Sequence, residues 1–315
     1  MVQHRNTFFR QSLDLAHKGF VTCGAFVFAI ACSSGTPKSQ VHDEASGHEA
    51  PSLQAAQTTA GLRLTSIGFN KKARFSPDDK TLIFLSGERR SHKQFQVYEL
   101  SLESFREKRI TFHDGDSLDV DYSPTGSHLI YSSTTDELKE RPPLIKPQVG
   151  KLAPTEIYLA DRKGGQIERL THTPGYQSEF SWVGQNQVLF ISEVDASGRT
   201  RIERLILQGA TTADWGDSPE YSLRIPTVDD SATRVAWVAL KGTEKPLLGL
   251  KLRGQFIALE TPFVEIQSLQ WIFGAAKTPI LLVSAKKTSG ANLSAWILNP
   301  EKKCLAQLFE EAGGS

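Results

Sequence analysis

The histidines are His4, His17, His42, His48, His92, His113, His128 and His172, and none stands at the H-x-x-x-H spacing of a ligand pair on a helix. Two have comparable surroundings. His113 lies in Ile110-Thr111-Phe112-His113-Asp114-Gly115-Asp116, and His172 in Leu170-Thr171-His172-Thr173-Pro174-Gly175-Tyr176. If these stretches are equivalent loops of neighbouring units, the two imidazoles, joined by Asp114 or Asp116, have the donor types of a bound metal. The plainer reading is that they are solvated loop residues. A nucleophile elbow, a phosphate loop and a dinucleotide fingerprint are missing, so no catalytic residue and no cofactor is expected.

The elements that would carry such loops repeat. Arg74-Phe75-Ser76-Pro77-Asp78-Asp79 leads into Leu82-Ile83-Phe84, and Asp121-Tyr122-Ser123-Pro124-Thr125-Gly126 into Leu129-Ile130-Tyr131. Weaker copies end on Phe190, Trp237 and Leu282, with spacings of 47, 59, 47 and 45 residues between successive anchors. Ser-Pro, Asp and Gly suit tight turns between hairpin strands. A third strand follows each anchor, and a fourth is clearest at Arg109-Ile110-Thr111 and Arg169-Leu170-Thr171. Units of this length built from short strands specify an all-β fold, a β-propeller of four-stranded blades. Five blades are countable and six remain open. Leu62 to Ile67 is expected to close the ring by joining the last blade. Phe75, Tyr122, Phe180, Trp182, Trp237 and Trp271 are expected in blade cores, and Arg89-Arg90 on the surface.

One interval is long. Phe84 to Tyr98 and Leu282 to Trp296 each span 14 residues, but Tyr131 to Tyr158 spans 27. The extra residues fall within 134–154, where Asp136, Glu137, Lys139, Glu140 and Arg141 cluster among prolines. An insertion in one unit maps to a loop on one face, often the binding face. The charged cluster reads as a partner epitope or as a solvated loop. The candidate binding residues are therefore His113, Asp114, Asp116, Asp136, Glu137, Arg141, His172 and Tyr176, with no metal ligand assigned.

The 315 residues are 39% hydrophobic, with a formal net charge of +1. A chain of this size buries a substantial core, and the charge gives no case for nucleic acid. Arg5, Arg10 and Lys18 precede a 13-residue apolar run from Gly19 to Ala31. That is short of the roughly 20 residues a spanning helix needs, so it reads as an export signal. Without residues 1–32 the body carries 33 basic and 34 acidic residues, a net of −1. Cys304 is then a lone thiol, read as a small buried hydrophobe, and no internal disulfide is expected. Residues 33–60 are polar, lack aromatics and read as a flexible tether.

Two resemblances sharpen this reading. Ala29-Ile30-Ala31-Cys32 resembles the lipobox of bacterial lipoproteins, with Ala29 where leucine is usual. It implies lipidation of Cys32, the alternative being plain cleavage near Ala31. Leu64-Thr65 with Phe75-Ser76-Pro77-Asp78-Asp79, Ile110-Thr111 with Tyr122-Ser123-Pro124-Thr125-Gly126 and Ile157-Tyr158, and Leu170-Thr171 with Phe180-Ser181-Trp182 resemble the TolB-like propeller repeat of bacterial envelope proteins. Asp79 stands where that pattern prefers glycine.

The implied organisation is a lipoprotein signal at 1–32, a tether at 33–60 and a propeller at 61–311. The expected function is a non-catalytic, monomeric scaffold binding an envelope protein or small ligand at its loop face. Its lipid would reach a membrane, and Ser33 favours the outer membrane, facing the periplasm. The alternative is a lyase or hydrolase acting on an envelope polysaccharide or peptide with a metal near His113 and His172.

Overall fold

The computed structural model describes residues 64–310, apart from 136–151, 195–196, 230, 274–278 and 303. The signal, Cys32, the tether and Asp136, Glu137 and Arg141 lie outside the described residues, as does the expected burial of the Cys304 side chain.

Twenty strands form five antiparallel sheets, each of four consecutive strands in sequence order. Blade 1 is β1 (Phe69–Phe75), β2 (Thr81–Gly87), β3 (Gln96–Ser101) and β4 (Glu107–Arg109). Blade 2 is β5 (Ser117–Tyr122), β6 (His128–Ser133), β7 (Glu156–Asp161) and β8 (Glu168–Arg169). Blade 3 is β9 (Gln177–Val183), β10 (Gln187–Glu193), β11 (Thr200–Ile206) and β12 (Thr211–Gly216). Blade 4 is β13 (Ser222–Val228), β14 (Arg234–Leu240), β15 (Leu247–Leu252) and β16 (Gln255–Glu260). Blade 5 is β17 (Glu265–Phe273), β18 (Pro279–Lys286), β19 (Ser294–Asn299) and β20 (Cys304–Glu310).

The second strands are apolar on both faces because both faces are covered. Ile83 and Leu85 of β2 pack with Val120, Tyr131 and Tyr158 of blade 2. From the opposite face of that blade, Ile130 and Ile157 pack with Phe180, Phe190 and Leu205 of blade 3. The scheme repeats between blades 3 and 4 and between blades 4 and 5. Each fully buried Leu, Ile or Phe contributes about 1.5–3 kcal/mol. These interfaces hold the blades around a common axis.

The repeat motifs have local causes. Ser76 Oγ accepts the Thr81 N–H at 3.0 Å, and Ser123 Oγ accepts the His128 N–H at 3.1 Å. In blade 4 the carboxylate of Asp229 does the same job, accepting the Arg234 N–H at 2.8 Å. The turn's last residue is left-handed in all three, at Asp79, Gly126 and Ala232. The Ile-Thr and Leu-Thr steps extend the ladder by a side chain. Thr111 Oγ1 accepts the Val97 N–H at 2.9 Å, and Thr171 Oγ1 accepts that of Ile157 at 2.8 Å.

Three expectations need correction. Residues 64–67 are not a strand, and blade 5 has β20 as its own fourth strand. Leu64 instead packs on the Leu82, Phe84, Tyr98 and Leu100 face of blade 1, and the Thr65 hydroxyl donates to Glu107. Phe75 is 61% exposed, not core. Its cross-strand partner Leu82 places it on the side of blade 1 facing away from blade 2. Consecutive inner strands pack on one another from β1 through β17, but β17 and β1 do not meet in that way. Finally, Arg89 is buried. It pairs with Glu107 and lies 4.0 Å over the Tyr98 ring, while Arg90 is exposed.

In blade 4 the Trp237 indole rests on its cross-strand partner Gly249, where a Cβ would come within 2.0 Å of the ring. Gly249→Ala is therefore expected to destabilise the protein by about 2–3 kcal/mol. Urea unfolding followed by tryptophan fluorescence checks this.

Candidate functional site: the loop face and the channel

Blade connections and the loops between second and third strands share one end of the propeller, as the strand order requires. Both described ends of the insertion are braced there. On the first side, Thr134 N–H donates to Asp116 O and Asp116 N–H to Thr134 Oγ1, each at 2.9 Å. Thr135 donates to Asp114 Oδ1 at 3.0 Å, and Asp116 Oδ1 accepts the Phe95 N–H at 2.7 Å. On the second side, Thr155 N–H donates to Gly175 O at 3.0 Å, and its hydroxyl to Gln177 O at 2.8 Å. In the connection that braces the first side, Phe112 is 73% exposed, with the Arg109 guanidinium 4.6 Å from its ring centre.

The two histidines are not brought to equivalent places. With Thr111 and Thr171 aligned, His172 corresponds to Phe112, and both are exposed. His113 corresponds to Thr173 and is tucked in. Its ring stacks on Tyr131 at 5.8 Å, with Nδ1 3.0 Å from Gly115 O and Nε2 3.2 Å from Ser117 Oγ. Burial, only partly offset by the Gly115 contact, holds His113 below its ordinary pKa. Among the described residues no three metal-type side chains come together. Tyr176 is buried, and its hydroxyl donates to Glu179 Oε1 at 3.3 Å.

That bond leads into the central channel. Register places Phe75, Tyr122, Trp182, Val228 and Ile272 at one equivalent position of the inner strands. Three residues earlier stand Lys72, Asp119, Glu179, Ile225 and Leu269; one residue earlier stand Arg74, Asp121, Ser181, Thr227 and Trp271. In β1, β9 and β13 a bulge opposite Phe84, Phe190 or Trp237 turns Lys72, Glu179 and Ile225 left-handed. A bulge re-aims side chains, here turning Glu179 onto Arg224 of blade 4 and Ile225 onto the core between blades 4 and 5. The positive charge of Lys72 in blade 1 helps to stabilise the Glu179 carboxylate of blade 3.

Glu179 is the best-satisfied of these groups. Arg224 Nε donates to its two oxygens at 2.9 and 3.0 Å, Arg224 Nη2 donates as well, and the Ile225 N–H reaches Oε2 at 2.9 Å. Burial pushes the Glu179 carboxyl up, but the hydrogen bonds and charge of Arg224, with Lys72 and the Ile225 N–H, outweigh it and hold it below the usual range. Burial likewise drives Tyr176 upward, so its hydroxyl stays a donor. Among the described residues Asp121 has no such partner and accepts only the Tyr122 N–H, at 2.8 Å. Enclosure pushes it up to about 7, against the opposing charge of Arg74 and with a further rise from Asp119.

No sequence signal marked this channel set. Charged residues on both faces of strand-like stretches read as solvated strands, and the bulges at Lys72 and Glu179 carry no sequence mark.

No protein-family model and no curated protein matches the chain. Solved structures do. TolB from Acinetobacter baumannii superposes with a TM-score of 0.59 at 16% identity, covering 78% of this chain and 55% of that one. A putative TolB from Agrobacterium tumefaciens gives 0.58 at 12%, covering 77% and 81%. An oligogalacturonate lyase from Vibrio parahaemolyticus gives 0.57 at 11%, covering 80% and 68%. The chain thus spans just over half the length of the first of these. Such likeness establishes the fold, a TolB-like β-propeller.

Two measurements probe the channel. Arg224→Ala leaves Glu179 enclosed without its cation and is expected to cost about 2–3 kcal/mol in urea unfolding, allowing for the partial exposure of Arg224. Asp121 binds its proton up to about pH 7 when folded, but only up to its ordinary 3.8 when unfolded. Its contribution therefore favours folding at low pH and is lost as pH rises through 7. Asp121→Asn is expected to be more stable than the parent above pH 7, with the gain vanishing below about pH 4 in thermal melts.

Proposed function

We propose that this TolB-like propeller is a non-catalytic, monomeric binding scaffold of a bacterial cell envelope, tethered through lipid on Cys32 to the outer membrane and facing the periplasm. Its partner is an envelope protein, bound on the loop face. The observation that carries this reading is the bracing of the insertion on both flanking blade connections, next to the exposed Phe112. Rooting the described ends of the insertion on a rigid frame lowers the ordering cost of binding there. An exposed aromatic backed by an arginine is an anchor type enriched in protein interfaces. The fold supports a scaffold without deciding between binding and catalysis, since propellers of this kind serve both TolB and the lyase. The reading with a metal near His113 and His172 gains nothing from the geometry, because His113 is engaged internally and His172 does not join it.

Crosslinking in intact envelopes tests the proposal, comparing the full chain with a variant lacking 136–150 and with Phe112→Ala. A partner protein captured by the full chain is expected to be lost with the deletion and reduced about tenfold with Phe112→Ala. A partner retained by both variants, or no captured protein at all, overturns it.

A further inference from the structure

The loop end of blade 1 carries an exposed aromatic pair with a cation against it. Phe69, the first residue of β1, is 62% exposed, and its ring stands edge-on to that of Phe95 with centroids 6.0 Å apart. Phe69 pairs across the strands with Gly87, where a Cβ would come within 3.1 Å of the Phe95 ring. The bare glycine thus lets Phe95 lie against the end of β2. Over the Phe95 face sits the Lys71 ammonium, 3.7 Å from the ring centre. Lys71 is registered opposite Leu85, so Phe69 and Lys71 stand on the same side of β1, the side that faces blade 2.

Lys71 is short of counter-charge. Its side chain has no ion pair and no hydrogen bond among the described residues. Burial pushes its ammonium below the ordinary pKa, and the charge of Asp116 only partly offsets this. The surrounding chain adds cations: segments 67–72 and 88–95 hold five Lys or Arg residues against the single acid Glu88. Arg89 is taken by Glu107 and Lys93 by Glu88. That leaves Lys71, Lys72 and Arg90 without an ion pair among the described residues.

We infer that this platform receives an acidic segment of the partner protein, a side-chain carboxylate closing on Lys71 while a neighbouring apolar side chain lies on Phe69. The inference deepens the scaffold reading and rests on it, because the platform adjoins the first foot of the insertion. Asp116 Oδ1 accepts the Phe95 N–H at 2.7 Å, and the Ser117 N–H donates to Phe95 O at 2.8 Å. A carboxylate supplies the missing charge to an ammonium already partly stripped of water, where an ion pair is worth more than on open surface. The aromatic beside it supplies the apolar area that a lone surface ion pair lacks. Needing both at once separates an acidic, apolar segment from a simple anion.

Calorimetric titration of the full chain with three end-blocked peptides tests this. They are Asp-Glu-Leu-Phe-Glu-Asp, its amide counterpart Asn-Gln-Leu-Phe-Gln-Asn, and Asp-Glu-Ser-Ser-Glu-Asp. Saturable, sub-millimolar binding of the first is expected, weakened by added salt and weaker by about tenfold or more for the other two. Lys71→Gln and Phe69→Ser should each weaken it by about tenfold, while Lys302→Gln, at an exposed lysine of blade 5, leaves it unchanged. No saturable binding of the first peptide, or equal binding of its amide counterpart, overturns the inference without needing any variant to fold. Tighter binding to phosphatidylglycerol vesicles than to the first peptide also overturns it, by assigning the cations to a lipid surface. None of these results decides the crosslinking outcome, since a partner held by 136–150 is captured whether or not Lys71 is used.

Discussion

A four-stranded sheet with apolar side chains on both faces cannot remain alone in water, and the fold follows from that constraint. Ile83 and Leu85 leave one face of blade 1 and enter the interface with blade 2. Ile130 and Ile157 carry the chain of burial onward, and the same division of odd and even positions continues to blade 5. Each sheet is thus both a core and a cover, and twisted sheets stacked in this manner turn about an axis. The terminal faces are where the rule runs out. Phe75 is exposed on one, and Leu282, the weakest of the five anchors, is only half-buried on the other.

Gathering five inner strands at an axis creates an environment that no single strand has. Side chains on the inner strands of different blades, harmless on an isolated sheet, become neighbours, as Glu179 and Arg224 do. Glu179 shows the consequence. Its backbone is held left-handed by the bulge, and its carboxylate is removed from bulk water. Arg224 and the next blade's N–H then make that burial tolerable. Strain and desolvation of this sort persist only where surrounding packing enforces them.

The loop end depends on the same frame through shorter interactions. Threonines do much of the joining: Thr111 and Thr171 finish the outer ladders, while Thr134 and Thr155 root the insertion. The hydroxyl is small enough to replace a backbone partner without breaking the strand, so the repeat's Ile-Thr step is a structural signature rather than a chemical one. His113, placed just beyond such a step, is drawn into the same service under Tyr131.

By itself the sequence determined the blade architecture and the end of the propeller on which the insertion sits, while the choice of five blades over six came from the structure. These depend on local turn chemistry and on apolar spacing, which survive even where Ser-Pro has given way to Asp229. It did not determine how the ring ends, because closure depends on which faces find a partner, and Leu64 lies on blade 1 instead of reaching blade 5. Nor did it separate His113 from His172, whose one-residue offset moves one ring inward and leaves the other in solvent. The channel set was decided only by tertiary structure. Lys72, Asp119 and Glu179 are 47 and 60 residues apart along the chain, and only packing of blade on blade brings their electrostatics together.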